Sequence, residues 1–116
     1  MDINRYLSPI NPDDLGYYPS EFSATLGSAI TAYVPGSSLP EIPQGGLVLV
    51  GIEEDRGTES NAGCGEAPNE IRKYLYQLAI PTNNTSIIDL GNVIIGQTTE
   101  DTYYAVAKIV TEVVGK

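Results

Sequence analysis

Glu53, Glu54, Asp55 and Arg56 stand together in the stretch GIEEDRGTESNAGCGEAPNEIR (51–72), with Asn61 and Cys64 a few positions further on. Three successive carboxylates could offer oxygen ligands to a hard cation such as Mg²⁺. Side chains leaving a strand alternate in direction, however, so the three cannot all converge on one ion. The plainer expectation is a solvated loop start in which Asp55 and Arg56 bond nearby backbone. Cys64 precedes a helix start, which favours a thiolate. Glu66 opposes that effect, and a small loop residue is the expectation.

The chain has one cysteine and no histidine. Its own residues therefore cannot build Ser-His-Asp or Cys-His catalysis, or a histidine-containing metal site. The run Gly63-Cys64-Gly65-Glu66-Ala67-Pro68 comes nearest to a phosphate-binding turn, with Asp89 in the place of a ribose-binding acid. A long insert separates it from the preceding strand, Pro68 stands where a third glycine is needed, and Glu66 would repel a pyrophosphate. A dinucleotide site is not expected.

The elements that must position these residues are regular from residue 47 onward. LVLVGI (47–52) is a continuous apolar run, as in a strand covered on both faces. A helix opens at Ala67-Pro68, where proline's missing N–H costs nothing, and Glu66 and Glu70 suit the positive end of its dipole. Ile71, Tyr74, Leu75 and Leu78 recur at helical spacing and predict its buried stripe. Pro81 closes that segment. SIIDLGNV (86–93) predicts a second strand, with a short third one over 93–95. Thr98 begins a capping box, and Tyr103, Val106, Val110 and Val113 predict the buried stripe of a second helix. Strand, helix, strand, helix implies right-handed βαβ units on a parallel sheet. The connection over 53–66 is longer than such a unit needs, which points to function.

Residues 1–46 differ in texture. Six of the eight prolines fall there (9, 12, 19, 35, 40 and 43), along with four of the tyrosines and Phe22. This composition predicts an extended arm lying on a neighbouring surface through aromatic anchors, with disorder the alternative for the first twenty residues or so. LGSAITAYV (26–34) suits a short helix or an edge strand equally.

Acidic residues outnumber basic ones 15 to 6, giving a net charge of −9 without a Lys/Arg cluster. Nucleic acid and anionic membranes are poor partners for such a chain. No apolar run approaches the roughly 18 residues of a membrane span. The N-terminus lacks a signal-peptide core and the single cysteine suits a reducing compartment, so a cytoplasmic location is expected. A sheet of two or three parallel strands is thin and leaves an open edge, so self-association by strand pairing or arm exchange is expected.

Taken in order, LVLVGIEEDRGTESNAGCGEAPNEIRKYLYQL and the downstream Ile88-Asp89-Leu90-Gly91-Asn92-Val93 resemble the N-terminal part of the ureohydrolase superfamily (arginase, agmatinase, formimidoylglutamase). Gly51-Ile52 stands for the family's strand-end turn, Asp55 for its acid, Asn61-Ala62-Gly63 for its loop and Ala67 to Arg72 for its helix start. Glu54 to Gly57 with the loop cysteine look most like the bacterial formimidoylglutamase-type branch. Ala67 and Glu53 depart from a usual glycine and proline.

The resemblance implies an α/β, three-layer parallel-sheet (arginase-like) fold. Residues 47–116 would be its N-terminal βαβα portion and 1–46 its arm. It implies a parent that binds two Mn²⁺ ions and hydrolyses C–N bonds of a small guanidino or formimino substrate. The metal-binding segments of the family are not in this chain, so the chain itself is expected to hold no cofactor, no metal ligand and no catalytic residue, and to be inactive. Asp55, Arg56 and Asn61 are its candidates for the substrate rim. The alternative is a stand-alone small α/β binding or assembly module without catalysis.

Overall fold

All seven residues of strand β4 (Ile87–Val93) are buried, and the rest of the chain is arranged around it. The computed structural model describes residues 3–11, 25–56, 63–78 and 86–115. Strand β3 (Leu47–Ile52) runs parallel along one side of β4, from Leu47 opposite Ile87 to Ile52 opposite Val93. Two short segments share the other side. Strand β2 (Ile30–Ala32) pairs parallel with Ile87 to Asp89, and β1 (Leu7–Ser8) pairs antiparallel with Asn92 and Val93. The four-stranded sheet is therefore mixed, where an all-parallel one was expected. Backbone bonds from Tyr33 N–H to the Asp89 carbonyl (2.8 Å) and from Ile94 N–H to the Tyr6 carbonyl (2.8 Å) extend both pairings.

The described parts of residues 1–46 thus supply one flank of the sheet itself. The stretch 26–34 holds both of its expected forms in succession: one helical turn, α1 (Leu26–Ala29), and then β2. No strand continues over 94–95, because β4 ends at Val93 and the chain turns toward the next helix.

One irregularity decides which side chains meet. Leu49 lies opposite Asp89, yet Gly51 lies opposite Asn92, so β4 carries one extra residue between the two pairs. Such a bulge shifts the alternation of the strand by one. Ile88 and Leu90 before it and Val93 after it consequently share one face, and Asp89 and Asn92 share the other. Gly91 sits at the bulge with φ +84°, and a side chain there would strike the Ser8 carbonyl of β1. Only glycine meets both conditions at no cost.

Each face of β4 takes a helix. Helix α3 (Thr99–Val114) begins as expected, with the Thr98 hydroxyl accepting the Asp101 N–H at 3.1 Å. Ala105 and Ile109 pack with Ile88, Leu90, Val93, Leu7 and Ile3, the last from a 3₁₀ helix over Ile3–Tyr6. The buried stripe is 102/105/109, with Val106 and Val113 half-buried, whereas Tyr103 and Val110 of the expected stripe are exposed. The rotation brings the Thr102 hydroxyl inward, to Glu54 (2.8 Å) and to the Gly96 N–H (2.9 Å).

Helix α2 (Ala67–Leu75) follows a 3₁₀ turn over Cys64–Glu66 and opens on Ala67-Pro68 as expected. Its orientation overturns the expected burial. Ile71, Tyr74 and Leu78 are 61%, 70% and 55% exposed, while Arg72 and Tyr76 are 4% and 3% exposed. At 100° per residue, positions 69, 72 and 76 lie on roughly the opposite side of the helix from 71, 74, 75 and 78. The polar side faces the sheet. Among the described residues, no helix is long and apolar enough to cross a membrane.

Candidate functional site

Parallel β3 and β4 both end at one edge of the sheet, and the polar chemistry of the described residues concentrates there. Beneath α2, Arg72 grips Asp89 with Nε (2.8 Å to Oδ2) and Nη2 (2.9 Å to Oδ1). Its Nη2 also reaches the Gly91 carbonyl at 2.9 Å, and its Nη1 reaches the carboxamide oxygens of Asn92 (2.5 Å) and Asn69 (3.2 Å). Asp89, fully buried, further accepts the Tyr76 hydroxyl at 2.7 Å and the Gly91 N–H at 3.0 Å. The bulge is what lets one guanidinium touch both Asp89 and Asn92. Gly51 of β3 makes room: a methyl group there would collide with the Asn92 carboxamide and Pro68. A buried pair this fully satisfied orients elements; it has no lone pair or proton left for a reaction.

A second cluster lies where α3 begins. Arg56 donates from Nε and Nη2 to the Glu54 carboxylate (2.8 and 2.5 Å), and from Nη1 and Nη2 to the carbonyls of Gln97 (2.9 Å) and Gly96 (2.8 Å). Thr102 joins through its bond to Glu54. The Arg56 guanidinium holds the Glu54 carboxyl at about 2, well below the ordinary 4.5, against a smaller opposing effect of desolvation. Glu54 in turn raises the Arg56 guanidinium above its ordinary value.

Of the expected rim residues, Asp55 accepts the N–H groups of Gly63 (2.7 Å) and Gly65 (3.4 Å) and so ties the start of the 53–66 connection to its end. Arg56 ties it to α3. The structure brings these two together at the carboxyl end of β3. Asn61 lies outside the described residues. Cys64 is exposed, with a free thiol.

Glu53, Glu54 and Asp55 diverge, as alternation requires. Glu54 serves Arg56 and Asp55 the loop, while the Glu53 carboxylate makes no hydrogen bond or ion pair among the described residues. Glu53 lines a cavity of about 210 Å³ with Ser8, Asn69 and Asn92. No group of three or more His, Cys, Asp or Glu able to hold a metal occurs among the described residues. Sequence reasoning missed Arg72 as a buried residue. The signal was present in the i, i+3, i+7 spacing of Asn69, Arg72 and Tyr76, three polar-tipped side chains on one face. No family model, curated protein or solved structure matches this chain.

Proposed function

We propose that this chain is the N-terminal part of a manganese-dependent ureohydrolase-type enzyme acting on guanidino or formimino C–N bonds, and that it is inactive alone. The observation that carries the reading is the joining of two motifs distant in sequence. Arg72, which closes the helix-start motif, is bonded to Asp89, Gly91 and Asn92 of the strand motif. Residues that bear the resemblance separately thus behave as one structural unit. The outward apolar side of α2 adds to this. With the edge of β3 that is unpaired among the described residues it forms an open groove of about 240 Å³ lined by Leu49, Ile52, Pro68, Ile71 and Leu75, a surface suited to a further strand and helix.

The residues present do not fit a pair of Mn²⁺ ions. Histidine is absent, and the carboxylates of Glu54, Asp55 and Asp89 are taken up by Arg56, by the backbone of Gly63 and by Arg72. This reading therefore assigns the metal ligands to other parts of the parent. The 53–66 connection leaves from the carboxyl end of β3, where ligands bind in open α/β sheets. Asp55 and Arg56 there hold the ends of a rim loop, and Asn61 is its candidate for substrate contact.

Reading the coding DNA past codon 116 tests the proposal: the frame should run on into histidine-bearing segments. A stop codon directly after Lys116 would sink it in favour of a small binding or assembly module. We further propose that the isolated chain self-associates through the outer edge of β3, which pairs with no strand among the described residues and whose residues 47–52 carry no charge or proline to block pairing. Light scattering on the purified chain should then show a mass above 12.4 kDa that rises with concentration. A constant monomer mass would exclude self-association.

A further inference from the structure

The cavity lined by Ser8, Asn11, Glu53, Asn69 and Asn92 has a defined hydrogen-bonding polarity along its Glu53, Asn69 and Asn92 wall. Arginine can only donate, so the Asn92 atom that meets Arg72 must be its carboxamide oxygen, which leaves the Asn92 NH₂ on the far side. That NH₂ donates to the Asn69 Oδ1 at 3.1 Å, and the same oxygen accepts from Arg72. The Asn69 NH₂ is thereby turned away from the network, and it has no partner among the described residues. The wall formed by the two asparagines consequently offers N–H donors. Glu53 offers a carboxylate without a partner among the described residues, and it is the one charged side chain among those that line the cavity.

A ligand for this arrangement must accept from the carboxamides and donate to the carboxylate. An anion would meet Glu53 and the net charge of −9. A simple cation would face the positive ends of the carboxamide N–H dipoles. A hydroxyl group accepts and donates at one oxygen, and two hydroxyls on neighbouring carbons can span a carboxylate and an amide together. The volume lies below the roughly 300 Å³ at which pockets begin to hold drug-sized ligands, so the ligand is small.

We propose that the cavity lined by Glu53, Asn69 and Asn92 binds the vicinal diol of a small polyol or sugar. Glu53 accepts from one hydroxyl, and the Asn69 NH₂ donates to an oxygen of the pair. The proposal is independent of the family reading, since it concerns Glu53, Asn69 and Asn92 of this chain alone.

The test is titration of the ¹⁵N-labelled full chain with glycerol, following the side-chain NH₂ resonances of Asn69 and Asn92. Propane-1,3-diol serves as the non-vicinal comparator, and ethylammonium and acetate as charged ones. Saturable shifts of both carboxamides with glycerol are expected. Binding should be at least about tenfold weaker for propane-1,3-diol, and likewise for glycerol in Glu53→Gln, a tenfold change being about 1.4 kcal/mol. An unaltered backbone spectrum of Glu53→Gln keeps a folding defect apart from a binding one. The proposal is overturned by non-saturating shifts, by equal response to the two diols, by unchanged binding in Glu53→Gln, or by tighter binding of ethylammonium or acetate.

Discussion

Arg56 and Arg72 make the same bidentate grip on a carboxylate and do different work with it. Arg56 is exposed and its acid, Glu54, is two residues away; Arg72 is buried and its acid, Asp89, is seventeen residues away. A pair so close in sequence can form in part in the unfolded chain too, so only a part of its strength is gained on folding. What Arg56 adds to the folded state is its reach across forty residues to the Gly96 carbonyl, which fixes a loop to the start of a helix. Arg72 joins a helix to a strand in the buried interior. The lesson is that burial and sequence separation, more than ion-pair geometry, decide what a salt bridge does.

Removing each guanidinium separates the two most sharply. Arg72→Ala leaves the Asp89 carboxylate buried without its counter-charge and should destabilise the domain by about 3–5 kcal/mol. Arg56→Ala should lower stability less: the Glu54 side chain is only 3% exposed, but it keeps its bonds from the residue-56 backbone N–H and the Thr102 hydroxyl. Urea denaturation of both variants checks the ordering, and equal losses would break the comparison.

Acid provides a finer test. The Glu54 carboxyl is held at about 2 in the folded chain against 4.5 ordinarily. A carboxyl lowered by folding contributes stability that is fully present above its unfolded value and is lost as pH falls toward the folded one. The contribution from Glu54 should therefore fade between about pH 4.5 and 2. Glu54→Gln should flatten that part of the Tm-against-pH curve and leave the curve above about pH 5 parallel to that of the parent chain. An unchanged acid limb would mean that Glu54 is not held by Arg56 in solution.

Much of the frame could be read from residues. Strands over 47–52 and 86–93, the helix opening at Ala67-Pro68 and the Thr98 cap rest on local chemistry, and the structure has each of them. The inward side of α2 could not be read the same way. Periodicity takes an apolar stripe for the buried one, and that inference fails where a satisfied ion pair fills the inside and apolar groups look outward. β1 and β2 are two and three residues long, too short for any period to show, and their pairing depends on β4. Of the candidate site, Asp55 and Arg56 were legible as loop residues that bond nearby backbone, but Arg56's bond to α3 is long-range and left no local trace. Glu53, without a partner among the described residues, stood out only once Glu54 and Asp55 had found theirs.

The bulge at Gly91 also bears on how the domain comes apart. It sets Asp89 and Asn92 toward α2 while Ile88, Leu90 and Val93 face α3, so a single phase shift in β4 serves the docking of both helices. Straightening the strand would disengage one face at the moment it disturbed the other. Backbone amides along β4 should accordingly exchange with solvent as one cooperative unit, opening only when both helices let go.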